Sequence, residues 1–274
     1  MQKILIYNSG GGIGDSIQII PLILSLNHYF KKSQIYYIGA HENHYKGKLK
    51  EYNVKIKDLE LDLKYFGFRW WHLLVVKKKI LKLKIHRFDL VIDLQSKIRN
   101  TLILKKISCV NFYSSTYNYH FCSNSRNFSN NKDLVEETID NLNIMLDTKI
   151  EKINYSLENI SENIFKEAKR LLPNNNYIGF SITQGNRYRQ KSWPIQNFIE
   201  LAKKIRAKNK VPVFFVEKSY DSLITKIKSE VPNALFPEHK SIIPSPALVT
   251  ALSTRLDKAI SIDNGVMHMM ALAN

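Results

Sequence analysis

Two short segments at opposite ends of this 274-residue chain hold the residue types most capable of chemistry. Near the far end a short apolar run, Ala259 to Ile262, stops at Asp263-Asn264-Gly265, and His268 follows inside an apolar helical stretch. A strand that ends in Asp-x-Gly-x-x-His places a helix N-terminus, with unpaired N–H groups and the positive end of its dipole, where an anion can dock. The same residues also suit a plain strand-to-helix turn in which Asp263 caps, Gly265 eases the bend and His268 packs. At the other end, Met1 to Tyr7 is an apolar strand, Asn8 to Asp15 holds Gly10, Gly11, Gly12 and Gly14, and Ser16 to Leu26 is an apolar helical stretch. Glycines there let backbone approach a ligand. The spacing is not that of a dinucleotide fingerprint, because Ile17 or Asp15 stands where the third glycine belongs. A carboxylate at the helix start would repel a pyrophosphate. Asp15 suits either a base facing a neutral sugar hydroxyl or an ordinary helix cap.

The elements that position these segments alternate strand and helix, the pattern of parallel α/β sheets. In the first half, strands are expected near residues 2–7, 34–39, 54–58, 89–94 and 108–113, and helices near 15–30, 68–84, 97–106 and 132–146. Tyr113 to Asn131 reads as loop, and Asp147 to Leu157 as a connector. After a helix near 160–172, strands are expected near 177–182, 211–216 and 258–262, with helices near 195–208, 219–229, 246–254 and 266–273. This pattern implies two α/β domains, 1–157 and 158–274, without an internal sequence repeat.

Composition narrows the class. The chain is 44% apolar, enough to build real cores, and its net charge is +17. Cys109 and Cys122 form no disulfide framework, and the eight histidines show no metal-ligand spacing, so no metal or other cofactor is expected. The start lacks the pattern of a secretory signal, and no apolar run reaches the roughly 18 to 20 residues that span a bilayer. Between Lys64 and Arg87 stand eight Lys or Arg and no Asp or Glu, interleaved with Trp70, Trp71, Leu74 and other apolar residues. A basic, aromatic segment of this kind suits a helix on an anionic membrane surface or the wall of a pocket for an acidic acceptor. A solvated helix face is the plainer reading. Nucleic acid is not an expected partner, since no RNP, helix-turn-helix or zinc pattern occurs.

In order and spacing, four segments resemble glycosyltransferase family 9, the heptosyltransferases of the lipopolysaccharide inner core. They are Gly12-Ile13-Gly14-Asp15 before a helix containing Pro21; Phe88-Asp89-Leu-Val-Ile-Asp93-Leu94-Gln95; Lys191-Ser-Trp193-Pro194 after the strand Tyr177 to Ile182; and Asp263-x-Gly265-x-x-His268. The resemblance implies a GT-B-like fold, two Rossmann-like domains facing across a cleft, with acceptor on the first and nucleotide-sugar on the second. It implies inverting transfer of a heptose from an ADP-heptose donor to a lipid-anchored acidic sugar, at the inner face of the bacterial inner membrane. Asp15 would be the base. Lys191, Glu217, Asp263, Asn264, Gly265 and His268 would bind the donor. Gly12, Gly14, Lys64, Arg69, Lys77, Lys78 and Lys79 would face the acceptor or the membrane.

The chain departs from the family pattern at its end. Family members continue past the Asp-x-Gly-x-x-His helix for several tens of residues, whereas this sequence stops at Asn274. The second domain is therefore expected to be incomplete. Two other readings stay open: a non-catalytic remnant that still binds nucleotide, and a basic protein that binds membrane surfaces or nucleic acid.

Overall fold

Strand β1 (Lys3–Tyr7) is central and apolar on both faces, and Ile4, Leu5 and Ile6 are fully buried. A strand covered on both sides by helices must read as a continuous apolar run, and this one does. The computed structural model describes residues 1–8, 12–39, 43–59, 61, 68–124, 127–184 and 193–273. They fall into two units, Met1–Tyr155 and Ser156–Asn274.

The first unit adds α1 (Ile13–Gln18), α2 (Ile20–Tyr29), β2 (Gln34–Ile38), β3 (Lys57–Asp58), α3 (His72–Lys82), β4 (Phe88–Asp93), α4 (Ile98–Leu104), β5 (Cys109–Ser114) and α5 (Leu134–Leu146). Its parallel sheet runs β3-β2-β1-β4-β5. Registers Tyr7↔Ile38, Tyr7↔Asp93 and Asp93↔Ser114 set the C-terminal ends of four strands in one row. In parallel α/β sheets ligands bind beyond that row. At the opposite edge the Asp89 carboxylate accepts the backbone N–H groups of Gln2 and Lys3, which hold its pKa below the usual range.

The single helix expected over 15–30 is two helices. Pro21 sits in the first turn of α2, where its missing N–H costs nothing, and Ile19 leaves helical geometry just before it. The helix expected over 68–84 is shorter, and the strand near 54–58 shrinks to two residues at a lysine-bearing edge. Short, charged edges of this kind limit pairing with other chains. The polar stretch after β5 is pinned despite its loop composition. Tyr117, Asn118 and Tyr119 take positive φ, and the buried Tyr119 hydroxyl bonds Glu137 of α5.

The second unit contains α6 (Glu162–Leu171), β6 (Tyr177–Ser181), α7 (Ile195–Arg206), β7 (Val211–Phe215), α8 (Asp221–Glu230), α9 (Pro246–Ser253), β8 (Leu256–Ser261) and α10 (Gly265–Ala271). Its parallel sheet runs β7-β6-β8 among the described residues. Phe180 and Phe214 stack at 4.8 Å between ring centres in the core beneath α7 and α8. On the other face α9 packs between α6 and α10, buried along nearly its whole length. Strand β8 is exposed in its first half, at Asp257, Lys258 and Ala259.

Candidate active site

In the first unit, Asp15 lies in the opening turn of α1, and its Oδ2 accepts the Gly12 N–H at 3.1 Å. Gly12 is extended and exposed, and Gly14 is buried one turn-step later. The turn is held from two sides. Asn8, just past β1 and almost fully buried, donates from Nδ2 to the Asp15 carbonyl at 3.0 Å. From the β2 side, Tyr45 donates to the Ser16 carbonyl at 2.5 Å, and the Tyr37 and Ser16 hydroxyls meet at 3.1 Å. Burial drives the Tyr37 phenol up to about 12 and that of Tyr45 well above its usual value, so both act as hydrogen-bonding hydroxyls at neutral pH.

Asp93, at the end of β4, is completely buried. Its Oδ1 accepts the Gln95 N–H at 3.0 Å, and its Oδ2 accepts the Thr101 and Ser114 hydroxyls at 2.6 and 3.0 Å. Burial raises its pKa, partly offset by these donors. The Gln95 side chain then donates to Asn8 Oδ1 at 2.8 Å. Sequence reasoning flagged the Phe88 to Gln95 motif without finding this connection; the signal was a buried-strand carboxylate with a polar residue two positions on.

The basic segment folds with part of its apolar content inside. Val76, Ile80 and His72 are buried, and Arg69 N–H donates to His72 Nδ1 at 3.0 Å. Burial, then the cations Lys79, Arg69 and Arg99, lower the His72 pKa. The outward face is unusual. Leu74 is 80% exposed, and Trp70, Trp71, Leu81 and Leu83 are exposed beside Lys77, Lys78 and Lys82, while Lys79 is half-buried. Lys64 lies outside the described residues.

In the second unit, Asp263 is exposed just beyond β8, and Asn264 caps α10. Asn264 Oδ1 accepts the Met267 N–H at 2.9 Å, while Nδ2 donates to Ser181 Oγ at 2.7 Å and the Thr183 carbonyl at 2.9 Å. Its side chain thus fastens the β8–α10 turn to the end of β6. Gly265 opens the helix, and His268 stands partly buried one turn on. Glu217 is exposed two residues past β7. Near it Glu238 is partly buried, and burial plus the Glu217 charge push its carboxyl up to about 7. Sequence reasoning did not single out Glu238. The exposed ring of Trp193 meets Phe198 edge-on at 5.0 Å, and Lys191 lies outside the described residues. Among the described residues no group of three His, Cys, Asp or Glu side chains forms a metal-ligand set. No described helix is long and apolar enough to cross a membrane.

The family model described as glycosyltransferase family 9 (heptosyltransferase) matches residues 76–273. The chain belongs to glycosyltransferase family 9. No curated protein matches this glycosyltransferase. Solved structures share its fold over nearly its full length. The family 9 glycosyl transferase of Veillonella parvula DSM 2008 superposes with TM-score 0.69 at 17% identity, covering 99% of this chain and 79% of that one. E. coli heptosyltransferase WaaC with ADP gives 0.67 at 14%, covering 100% and 85%. E. coli ADP-heptose lps heptosyltransferase II gives 0.65 at 14%, covering 100% and 82%. The α/β architecture is that of the GT-B heptosyltransferases.

Proposed function

We propose that this glycosyltransferase moves a heptose from ADP-heptose to a lipid-anchored acidic sugar of the lipopolysaccharide inner core, with inversion at the anomeric carbon. The observation that carries the reading is Asp15, a carboxylate held at the sheet's C-terminal row by a turn clamped from both sides. A base needs a fixed position and an acceptor hydroxyl within hydrogen-bond reach. Asp15 takes that hydroxyl's proton as its oxygen forms the bond to the anomeric carbon. On the opposite face the bond from that carbon to the diphosphate oxygen breaks, and ADP leaves with the electron pair.

The named ligands and activities of the solved heptosyltransferases, ADP and ADP-heptose, support the donor assignment. Residues 158–274 take the donor in this reading, and residues 1–157 the acceptor. Gly265 and the first turn of α10 offer N–H groups to the leaving diphosphate, which gains charge in the transition state. Asn264 fixes that turn, Asp263 and His268 border it, and Lys191 offsets phosphate charge. Glu217 holds a ribose hydroxyl. Gly12 and Gly14 let the acceptor approach the backbone at Asp15. Arg69 and Lys64 attract its acidic groups, and the α3 face with Lys77, Lys78 and Lys79 rests on an anionic bilayer. That location is the cytoplasmic face of the inner membrane.

The test is transfer from ADP-heptose to a lipid A–Kdo type acceptor by the wild type and by Asp15→Asn. The variant is expected to lose on the order of 10²–10⁴-fold in rate while ADP affinity stays within about twofold. Transfer at close to the wild-type rate would remove Asp15 from the chemistry.

A further inference from the structure

The hydrogen bonds around Asp93 end on the backbone of the residue proposed as the base. A helix as short as α1 cannot satisfy its last carbonyls from its own ladder. The Asp15 carbonyl is one of them, and Asn8 Nδ2 fills it at 3.0 Å. Asn8 cannot choose its orientation freely, because Gln95 Nε2 donates to its Oδ1 at 2.8 Å and so turns the Nδ2 group toward Asp15. Gln95 is set in turn by its own N–H on Asp93 Oδ1. Asp93 is fully buried and bound by Thr101 and Ser114, with Thr116 bonding both hydroxyls. Every link is a directional polar contact at the ends of β1 and β4, whose register aligns Tyr7 with Asp93.

We infer that Asn8 and Gln95 are positioning residues for the transfer step, an oriented amide relay that fixes the α1 turn and hence the Asp15 carboxylate relative to the acceptor hydroxyl. The inference rests on Asp15 acting as the base. Its chemistry is set by amide polarity. An Asn at position 8 presents an acceptor to Gln95 and a donor to Asp15 at once, and neither Asp nor Leu does both. The second clamp on Ser16 comes from Tyr45 and from Tyr37, whose hydroxyl Asn8 also bonds, and no bond of Gln95 enters it. The fold of α1 therefore survives loss of Gln95, while the aim of Asp15 does not. A displacement near 1 Å at a reacting group is worth on the order of 10²-fold in rate.

The experiment is a double-mutant cycle on the full chain, measuring transfer from ADP-heptose to a lipid A–Kdo type acceptor. Gln95→Met, which keeps the side-chain length and removes the donor, is expected to lower kcat about 10- to 100-fold with donor KM and ADP affinity unchanged. Asn8→Asp, which keeps the acceptor for Gln95 and removes the donor to Asp15, is expected to do the same. In an Asp15→Asn background, Gln95→Met is expected to change the residual kcat by less than about twofold, because the relay then has no base to aim. Equal losses in both backgrounds overturn the relay. So does a rise in donor KM at unchanged kcat. If either single variant fails to fold, the other carries the cycle. If Asp15→Asn alone leaves transfer intact, the base assignment itself falls and the relay with it, an outcome distinct from a working base that ignores Gln95.

Discussion

The two units use one device, a strand that ends in a turn and feeds a short helix, with opposite electrical outcomes. In the first, the side chain of Asp15 folds back onto the Gly12 N–H, so the turn consumes its own donor and presents a carboxylate. In the second, the capping oxygen belongs to a neutral residue, Asn264, which takes the Met267 N–H, and the Gly265 and Val266 N–H groups of the first turn have no acceptor within their own helix. One turn suits a proton acceptor facing a neutral hydroxyl. The other suits an anion. The difference lies in one side chain and its position, since Asp15 is the third residue of its helix and Asn264 precedes its own.

The largest effect that sharpens this contrast lies on the surface. The outward face of α3 joins exposed Trp70, Trp71 and Leu74 to lysines, and the described part of the second unit has no helix of that kind. Each Lys near an anionic bilayer is worth about 1 kcal/mol. Replacing Lys77, Lys78 and Lys82 with Ala together is expected to weaken adsorption to phosphatidylserine-containing vesicles on the order of 100-fold. Co-sedimentation of the wild type is expected to fall steeply with salt on anionic vesicles. Equal binding to neutral vesicles would assign the face to something other than a charged membrane.

A smaller effect probes the second turn. Gly265→Val sets a branched side chain beside the N–H groups offered to the diphosphate, and ADP affinity is expected to drop more than about tenfold, or about 1.4 kcal/mol. Calorimetry on the folded variant reads it. Paired with Asp15→Asn, the outcome is crossed: one substitution costs rate at constant ADP affinity, the other ADP affinity. If both moved the same quantity, the two turns would not have separate jobs.

Much of this was legible in the residues. Continuous apolar runs such as Ile4 to Ile6 announce a buried parallel strand, and Asp-x-Gly-x-x-His announces a strand feeding a helix. The boundaries were less so. Pro21 was visible, but a proline in the first turn of one helix looks the same as a proline inside a longer one until Ile19 is seen to break the ladder. The relay through Gln95 and Asn8 was hidden for a different reason. It joins residues 87 positions apart through strand register, and an amide's orientation leaves no trace in sequence. Glu238 was hidden likewise, since its altered ionisation depends on Glu217 and on burial after the chain has closed.

The smallest effect concerns stability and separates two buried carboxylates, one in each unit. Burial raises Asp93, whereas Glu167 of α6 is held down to about 2 by the Arg170 guanidinium, which donates from Nε and Nη2 at 2.7 and 2.8 Å, with Ser241 adding a third bond at 2.9 Å. The signs follow from linkage. A group whose folded pKa lies below its ordinary value of 4.5 stabilises the fold above that pH, and the contribution fades as pH falls from about 4.5 towards 2. Asp93 has the opposite sign, and its contribution fades as pH rises through its raised folded value. Arg170 is largely exposed, so solvent screens the pair and Glu167→Gln should cost only about 1 kcal/mol near pH 7. That cost should shrink steadily towards pH 2, where Glu167 is about half protonated in the folded protein. Denaturant melts of both proteins at pH 7, 5 and 3 test it, and a difference that grew on acidification would show that the α6 pair does not hold Glu167 ionised.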